Sequence, residues 1–414
     1  MNAFVSLGLS PSLSRAVEEL GYDLPTPIQA AAIPAALAGR DLLGSAATGS
    51  GKTAAFVIPV LQRIESRPRP ALRRTQALIL VPTRELAMQV GETMRQLGQF
   101  FAEPVKLSVL YGGVSINPQM MALRGGAEVV IATPGRLLDV VAQNALKLSD
   151  VGCLVLDEAD RLLDGGFADE LSRVLALLPA RRQNLLFSAT FPDTVQALTD
   201  RLLRDPVRVE IAQEPVGEGQ IEEHAVEVDP ARRTPLLRHM IEQGDWTRVL
   251  VFVATRYACD HVADKLRKGG LAAAAFHGDA SQGARTRMLA DFKAGRLQVL
   301  VATDLGARGI DIAHLPVVVN YDLPRSAVDY VHRIGRTARA GATGLAVSFI
   351  GAAAEAHFRL IEKRQGRRVP RERIAGYEPT ETAPPEAATG GIKGRRPSKK
   401  DKLRAAATSH PEQA

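Results

Sequence analysis

Short apolar runs rich in Val, Ile and Leu alternate along the chain with segments whose apolar positions recur at helical spacing. The runs that read as strands are 77–81, 106–110, 129–132, 153–156 and 184–188 and, after a gap, 249–253, 273–276, 299–302, 317–320 and 345–350. A strand that is apolar without alternation is buried on both faces, and strands separated by helices run parallel. The pattern therefore predicts an α/β protein of mainly parallel sheets flanked by helices. The gap contains Gln213-Glu214-Pro215-Val216-Gly217-Glu218-Gly219-Gln220, polar and rich in Gly and Pro as a linker is. We expect a first domain over 1–211, a linker over 212–220, a second domain over 221–372 and a tail over 373–414. The tail decays into Pro, Ala, Gly and Glu and then carries a basic stretch, Lys393 to Lys400, so it is expected to be disordered.

Composition changes this picture little. A chain of 414 residues exceeds one ordinary core, and 46% apolar with 23% charged residues is a soluble globular content. The net charge of +7 is compatible with a polyanionic partner without requiring one. Cys153 and Cys259, the two cysteines, lie in apolar patterns and read as buried thiols of a reducing compartment, not as a disulfide or zinc site. The first residues lack a basic and apolar leader, and no run reaches the roughly 18 apolar residues of a membrane span. A cytoplasmic protein without membrane contact is expected.

The candidate chemistry is concentrated in two places. Ala46-Ala47-Thr48-Gly49-Ser50-Gly51-Lys52-Thr53 is a glycine-rich turn closing on Lys-Thr. Its glycines let backbone N–H groups approach phosphates, Lys52 suits the β and γ phosphates, and the Thr53 hydroxyl suits a magnesium ion. The first glycine of the usual pattern is Ala46 here. Downstream, an apolar run ends in Asp157-Glu158-Ala159-Asp160. Asp157 can hold hydrated magnesium, while Glu158 can orient and deprotonate an attacking water. Together the two segments describe a site for a nucleoside triphosphate and Mg2+. In the second half, Tyr330-Val331-His332-Arg333-Ile334-Gly335-Arg336-Thr337-Ala338-Arg339 repeats arginine every third residue. Continued as a helix, this spacing sets Arg336 and Arg339 on nearly one face, and arginine stabilises charge on a transferring phosphoryl group.

With these segments in family order from residue 4 to about 341, the chain resembles the DEAD-box ATP-dependent RNA helicases. The resemblance implies two tandem RecA-like domains, ATP and Mg2+ as cofactors and RNA as partner. Gly21-Tyr22-Asp23-Leu24-Pro25-Thr26-Pro27-Ile28-Gln29 looks like the family's adenine-reading segment. An amide such as that of Gln29 can pair both edges of adenine, and Tyr22 would stack on the ring. Motif by motif, the resemblance assigns Arg84, Gly113, Thr133, Arg136, Thr255, Arg256, Gly278 and Thr303 to RNA backbone contacts, and matches the segment Gln282 to Arg285 to the same surface. Sugar and phosphate contacts of this kind are largely independent of sequence, and 2′-hydroxyls distinguish RNA from DNA. Asp160, Ser188, Thr190 and His332 would couple the ATP site to strand separation, Asp311 would meet the ribose, and Arg336 and Arg339 the γ-phosphate.

Ala338 departs from the family's usual glycine and Ala47 from its glutamine. The adenine-segment wording and short extension look most like the bacterial RhlE-type subgroup. The expected activity is RNA-stimulated ATP hydrolysis coupled to local duplex separation or RNA-protein remodelling. Ribosome assembly and RNA decay are both settings for it. The competing readings are an ATP-gated RNA clamp, in which unwinding is incidental, and a DNA-translocating helicase. The basic tail either tethers RNA through phosphates or only solvates the chain.

Overall fold

The computed structural model describes residues 3–46, 50–67, 73–211, 221–307, 310, 312, 315–338 and 343–381. Seven parallel strands form the first sheet: β1 (Leu42–Ser45), β2 (Ala77–Leu80), β3 (Leu107–Leu110), β4 (Val129–Ala132), β5 (Cys153–Leu156), β6 (Gln183–Ser188) and β7 (Val207–Glu210). Seven more form the second: β8 (Ile221–Glu227), β9 (Val249–Val253), β10 (Ala273–Phe276), β11 (Val299–Thr303), β12 (Val317–Asn320), β13 (Gly344–Ile350) and β14 (Arg371–Glu372). The strand orders are β3-β4-β2-β5-β6-β1-β7 and β10-β11-β9-β12-β13-β8-β14. Subtracting seven from each label of the second order gives the first, so one topology is used twice. Every pairing between these strands is parallel.

Continuous apolarity becomes two cores per sheet. Successive side chains leave a strand on opposite faces. Ala77, Ile79, Val129, Ile131, Val155 and Phe187 join the core on one face of the first sheet, while Leu78, Leu80, Val130, Leu154 and Leu186 join the other. In the second sheet Val249, Val251 and Val253 face one core, and Leu250 and Phe252 the other. Each such fully buried aliphatic side chain stabilises its layer by roughly 1.5–3 kcal/mol.

Strands β1, β7, β8 and β14 carry no continuous apolar run, and the hydrophobic pattern missed them. β1 (LLGS) contains Gly44, where an added Cβ would lie 2.6 Å from the Phe187 ring. Close packing by that ring selects glycine and erases the strand signal. β8 (IEEHAVE) has three successive polar residues, Glu222 to His224, between its apolar positions, yet pairs with β13 from Ile221↔Gly344 to Glu227↔Ile350.

The tail expected from residue 373 begins as bound structure. Arg371 pairs with Glu355 (3.1 Å) and Glu362 (2.9 Å). Arg373 pairs with Glu227, and the Arg232 guanidinium lies 5.5 Å over the Tyr377 ring. Asp229 accepts from Thr380 N (2.8 Å), Thr380 Oγ1 (2.8 Å) and Glu381 N (3.1 Å). Residues 373–381 therefore lie against the second lobe, held by these polar contacts and by Ile374 and Tyr377, which pack on its core but are too isolated to form an apolar pattern. The expected linker over 212–220 and the basic stretch Lys393 to Lys400 lie outside the described residues. Cys153 and Cys259 are free and buried, and burial pushes both thiols up to about 12. Among the described residues no helix is long and apolar enough to cross a membrane.

Candidate nucleotide and nucleic-acid cleft

In a parallel sheet the loops that leave the strands collect along one edge, and ligands bind there. The candidate residues follow this rule and divide by strand order. β1 leads to the glycine-rich turn, β5 to Asp157 and β6 to Ser188, and these three strands are neighbours. β2 leads to Arg84, β3 to Gly113 and β4 to Thr133, on the other half of the same sheet. In the second lobe Thr255, Gly278 and Thr303 stand at the ends of the neighbouring strands β9, β10 and β11.

Lys52 opens the helix Lys52–Glu65, is buried, and donates from Nζ to the Ala46 carbonyl at 2.8 Å. Gly51 precedes it at φ 94°, a left-handed conformation; a Cβ there would lie 2.5 Å from Gln29 Nε2 and 2.8 Å from Thr26 Oγ1. Only glycine fits that turn. Gln29 Nε2 donates to the Gly51 carbonyl (3.1 Å), and its Oε1 accepts from Thr26 N (2.9 Å). The amide expected to read adenine is therefore buried and braces the turn, keeping one N–H and one lone pair beyond these bonds. Tyr22 is half-buried and meets Phe4 edge-on at 6.1 Å, while Phe4 itself is core. Ser50 Oγ is buried without a hydrogen-bond partner, so an oxygen-rich ligand would satisfy it. Thr53 follows Lys52 in the helix; Thr48 and Gly49 lie outside the described residues.

Asp157 is 3% exposed, and its Oδ1 accepts from Glu158 N at 2.9 Å. Burial pushes its carboxyl up to about 6; Lys52 opposes the shift, and the Glu158 and Asp160 charges add to it. Glu158 stands at the N-cap of the short helix Ala159–Leu162 with φ 52°, a left-handed conformation uncommon outside glycine and costly for a side chain. Asp160 Oδ2 accepts from Thr190 N (3.1 Å) and Thr190 Oγ1 (2.7 Å), while Ser188 Oγ accepts from Asp160 N (3.3 Å) and donates to Thr190 O (2.7 Å). The turns leaving β5 and β6 are thus tied into one unit.

The second lobe closes the cleft with the helix Ala327–Ile334, capped by Ser326 and ended by Gly335. Glu158, Asp160 and Arg161 line one wall, Asp329, His332 and Arg336 the other. Arg161 Nη1 meets Asp329 Oδ1 across the gap at 2.8 Å. The His332 imidazole is pushed down to about 4, chiefly by burial and then by the Arg161 cation; Arg336 adds to this, and Asp160 and Asp329 oppose it.

Helical spacing for the arginines does not hold, because the helix stops before Arg336. Arg336 sits in the following turn with Nη1 donating to Ile310 O at 3.0 Å, and Arg339 and Asp311 lie outside the described residues. Arg333 belongs to the core: it forks onto Asp304 (2.6 and 2.7 Å), reaches Asn320 Oδ1 (3.1 Å) and Asp322 O (2.7 Å), and lies 4.8 Å over Phe252. Ala338 takes φ 49°, so the family's usual glycine stood where the backbone is left-handed. Alanine there costs about 1–2 kcal/mol.

On the other half of the cleft, Arg84 opens the helix Arg84–Gly98 and passes over Gly113, whose Cβ position is 3.2 Å from its Nη1. Thr133 caps the helix Pro134–Ala142, which carries Arg136. Arg136 Nη2 donates to Val114 O at 2.8 Å, while its Nη1 is buried without a hydrogen-bond partner. The hydroxyls of Thr255 and Thr303 accept from Ala258 N and Gly306 N (each 3.1 Å), leaving their own hydrogens to donate. Arg256 pairs with Asp279, and a Cβ at Gly278 would meet open space. Arg285, matched by sequence to the RNA surface, is instead buried: it meets Glu85 of the first lobe at 2.8 Å and His277 O at 2.9 Å. Sequence reasoning missed Asp329 and Arg161 because a pairing across 168 residues leaves no local pattern.

Two lobes of one topology, with Glu158 and Asp160 of one facing Arg336 of the other and Lys52 opening the helix after β1, define a nucleoside-triphosphate-binding protein with helicase architecture. The chain belongs to the DEAD/DEAH box helicase family: that family's signature matches residues 26–198, and the helicase conserved C-terminal domain matches 232–341. It is 38% identical over 371 residues to the DEAD-box ATP-dependent RNA helicase CshA of Bacillus cereus, covering 90% of this chain and 70% of that protein. It is 43% identical over 352 residues to DEAD-box ATP-dependent RNA helicase 30 of Arabidopsis thaliana, covering 84% of this chain but 59% of that protein. Among solved structures, S. cerevisiae Dbp5 bound to RNA and ADP BeF3 superimposes with a TM-score of 0.78 at 31% identity, over 90% of this chain and 96% of that one. Mss116p bound to ssRNA and AMP-PNP gives 0.79 at 27% identity, over 99% and 82%.

Because the buried Arg333 guanidinium bonds both Asn320 and the partly exposed Asp304 carboxylate, Arg333→Ala is expected to lower the stability of the second lobe by about 1.5–3 kcal/mol in denaturant unfolding. An unchanged midpoint would return Arg333 to the ligand-facing wall.

Proposed function

We propose that the chain is a cytoplasmic ATP-dependent RNA helicase that couples ATP binding and hydrolysis to local duplex separation or RNA-protein remodelling. The observation that carries this reading is the shared cleft, in which Glu158 and Asp160 of one lobe face His332 and Arg336 of the other. Relatives named as RNA helicases, and similar structures that hold RNA with ATP analogues, support it.

In this reading Tyr22 and Gln29 receive the adenine, Asp311 the ribose, and the backbone of Thr48, Gly49, Ser50 and Gly51 the phosphates. Lys52 reaches the β and γ phosphates with the N–H groups that Ala46 leaves free. The Thr53 hydroxyl and Asp157 carboxylate are hard oxygen donors that fit Mg2+, which usually shares its shell with water and substrate phosphates. Bound there, it would neutralise phosphate charge. Glu158 takes a proton from the attacking water, and Arg336 with Arg339 stabilise the transferring phosphoryl group from the second lobe. Asp160, Ser188, Thr190 and His332 transmit closure. Arg84, Gly113, Thr133, Arg136, Thr255, Arg256, Gly278 and Thr303 hold one RNA strand by its backbone, largely without regard to sequence. ATP and RNA together close the lobes around a bent strand that cannot pair, and loss of phosphate reopens them.

Glu158→Gln is expected to bind ATP while turnover falls about 10²–10⁴-fold, the range for loss of a general base. Equilibrium binding of a fluorescent ATP analogue beside steady-state hydrolysis separates the two, and undiminished turnover would remove Glu158 from this role. Asp157 supplies a pH test. Its folded-state value of about 6 lies above the ordinary 3.8, so in the metal-free protein its stability contribution is full below 3.8 and lost as pH rises through about 6. Protons and Mg2+ compete for this carboxylate. The Mg2+ concentration for half-maximal ATPase should rise about tenfold per pH unit below about 6 and level off above it. A requirement independent of pH across that window would exclude Asp157 as the metal ligand.

A further inference from the structure

Among the described residues, two ion pairs join the lobes. Glu85–Arg285 lies on the half of the cleft assigned to RNA, and Arg161–Asp329 on the half assigned to nucleotide. The second pair directly adjoins the reacting groups. Arg161 follows Asp160, the residue that ties the turn after β5 to Thr190. Asp329 stands in the first turn of the helix that leads to His332 and Arg336, and it also accepts from Ser326 Oγ at 2.8 Å. The Arg161 and Asp329 side chains are 14% and 21% exposed, although they belong to different lobes. Separating the lobes would return both to water.

We propose that Arg161 and Asp329 form a closure latch, positioning the acidic turn of the first lobe against the arginine-bearing turn of the second. The proposal rests on the helicase reading and adds two positioning residues to it. Exposed ion pairs contribute about 0–1 kcal/mol because water screens them. A partly buried pair whose carboxylate is also hydrogen-bonded gains from low dielectric while avoiding an orphaned charge. The pair is thus weak until the lobes meet and favourable once they have. Its formation also brings the Arg161 cation to His332, which faces Asp160 and Arg161 from the first lobe and Asp329 and Arg336 from its own. The closed arrangement accordingly holds that imidazole uncharged beside the nucleotide pocket, where one more cation would compete for the anionic groups.

A double-mutant cycle on the full chain tests the latch: Arg161→Ala, Asp329→Ala and the double variant, each checked for native thermal unfolding. The readouts are the concentration of a single-stranded oligonucleotide RNA giving half-maximal ATPase stimulation, and kcat at saturation. Each single change should raise the half-saturating RNA concentration about tenfold, with a smaller effect on kcat, as expected for coupling between contacting charges. The double variant should be no worse than either single one. Should the alanine variants fail to fold, Arg161→Lys and Asp329→Asn give the same cycle with smaller shifts. Losses that multiply in the double variant, or an unchanged half-saturation, would overturn the latch. If wild-type turnover ignores RNA, the helicase reading falls, and an RNA-driven latch with it. If the wild type responds and the cycle is additive, only the latch falls.

Discussion

Parallel pairing fixes where chemistry can occur in this protein. When all strands point the same way, every loop that leaves a strand opens on one edge, so residues distant in sequence arrive together without special design. The order β5-β6-β1 collects the glycine-rich turn, the acidic pair and the Ser188 turn, while β3-β4-β2 collects Arg84, Gly113 and Thr133. Repeating the order in the second lobe gives a second edge. The cleft is what results when two such edges face each other.

Charge then determines which arrangements are tolerable. Placing Asp157 and Asp160 almost wholly out of water is expensive unless something compensates. Asp160 is compensated inside the protein by three hydrogen-bond donors, Thr190 N, Thr190 Oγ1 and Arg161 N. Asp157 has a single donor, Glu158 N, and the Lys52 charge only partly offsets burial, so its carboxyl is pushed up to about 6. That contrast separates a carboxylate satisfied within the protein from one with oxygen lone pairs still to spare. The same reasoning separates the arginines: Arg333 spends its whole fork on Asp304, Asn320 and Asp322, whereas Arg336 lies in the cleft wall, past the end of its helix.

The apolar strands and the turns bearing the acidic pair and phosphate loop were legible in sequence because their signals are local. Val129–Ala132 and Val249–Val253 are runs that no other element would bury on both faces. What escaped is what depends on a distant partner. β1 hides behind the Phe187 ring, β8 behind its polar run Glu222 to His224, and residues 373–381 behind contacts to Asp229, Glu227 and Arg232. Gln29 shows the limit at a single side chain: its motif names an amide, but only the fold shows that amide bracing Gly51. Arg285 and Arg161 are the same case for charge, since each is completed by a carboxylate in the other lobe.

The central claim is that nucleotide turnover depends on RNA, because RNA and ATP share one closed cleft. Steady-state ATP hydrolysis with no nucleic acid, with single-stranded DNA and with total or ribosomal RNA, using GTP as the nucleotide control, tests it most directly. The account predicts turnover that is selective for ATP and stimulated by RNA over DNA. Hydrolysis unchanged by RNA would contradict it, and slow turnover with long-lived RNA complexes would make the protein a clamp instead of an unwinding enzyme.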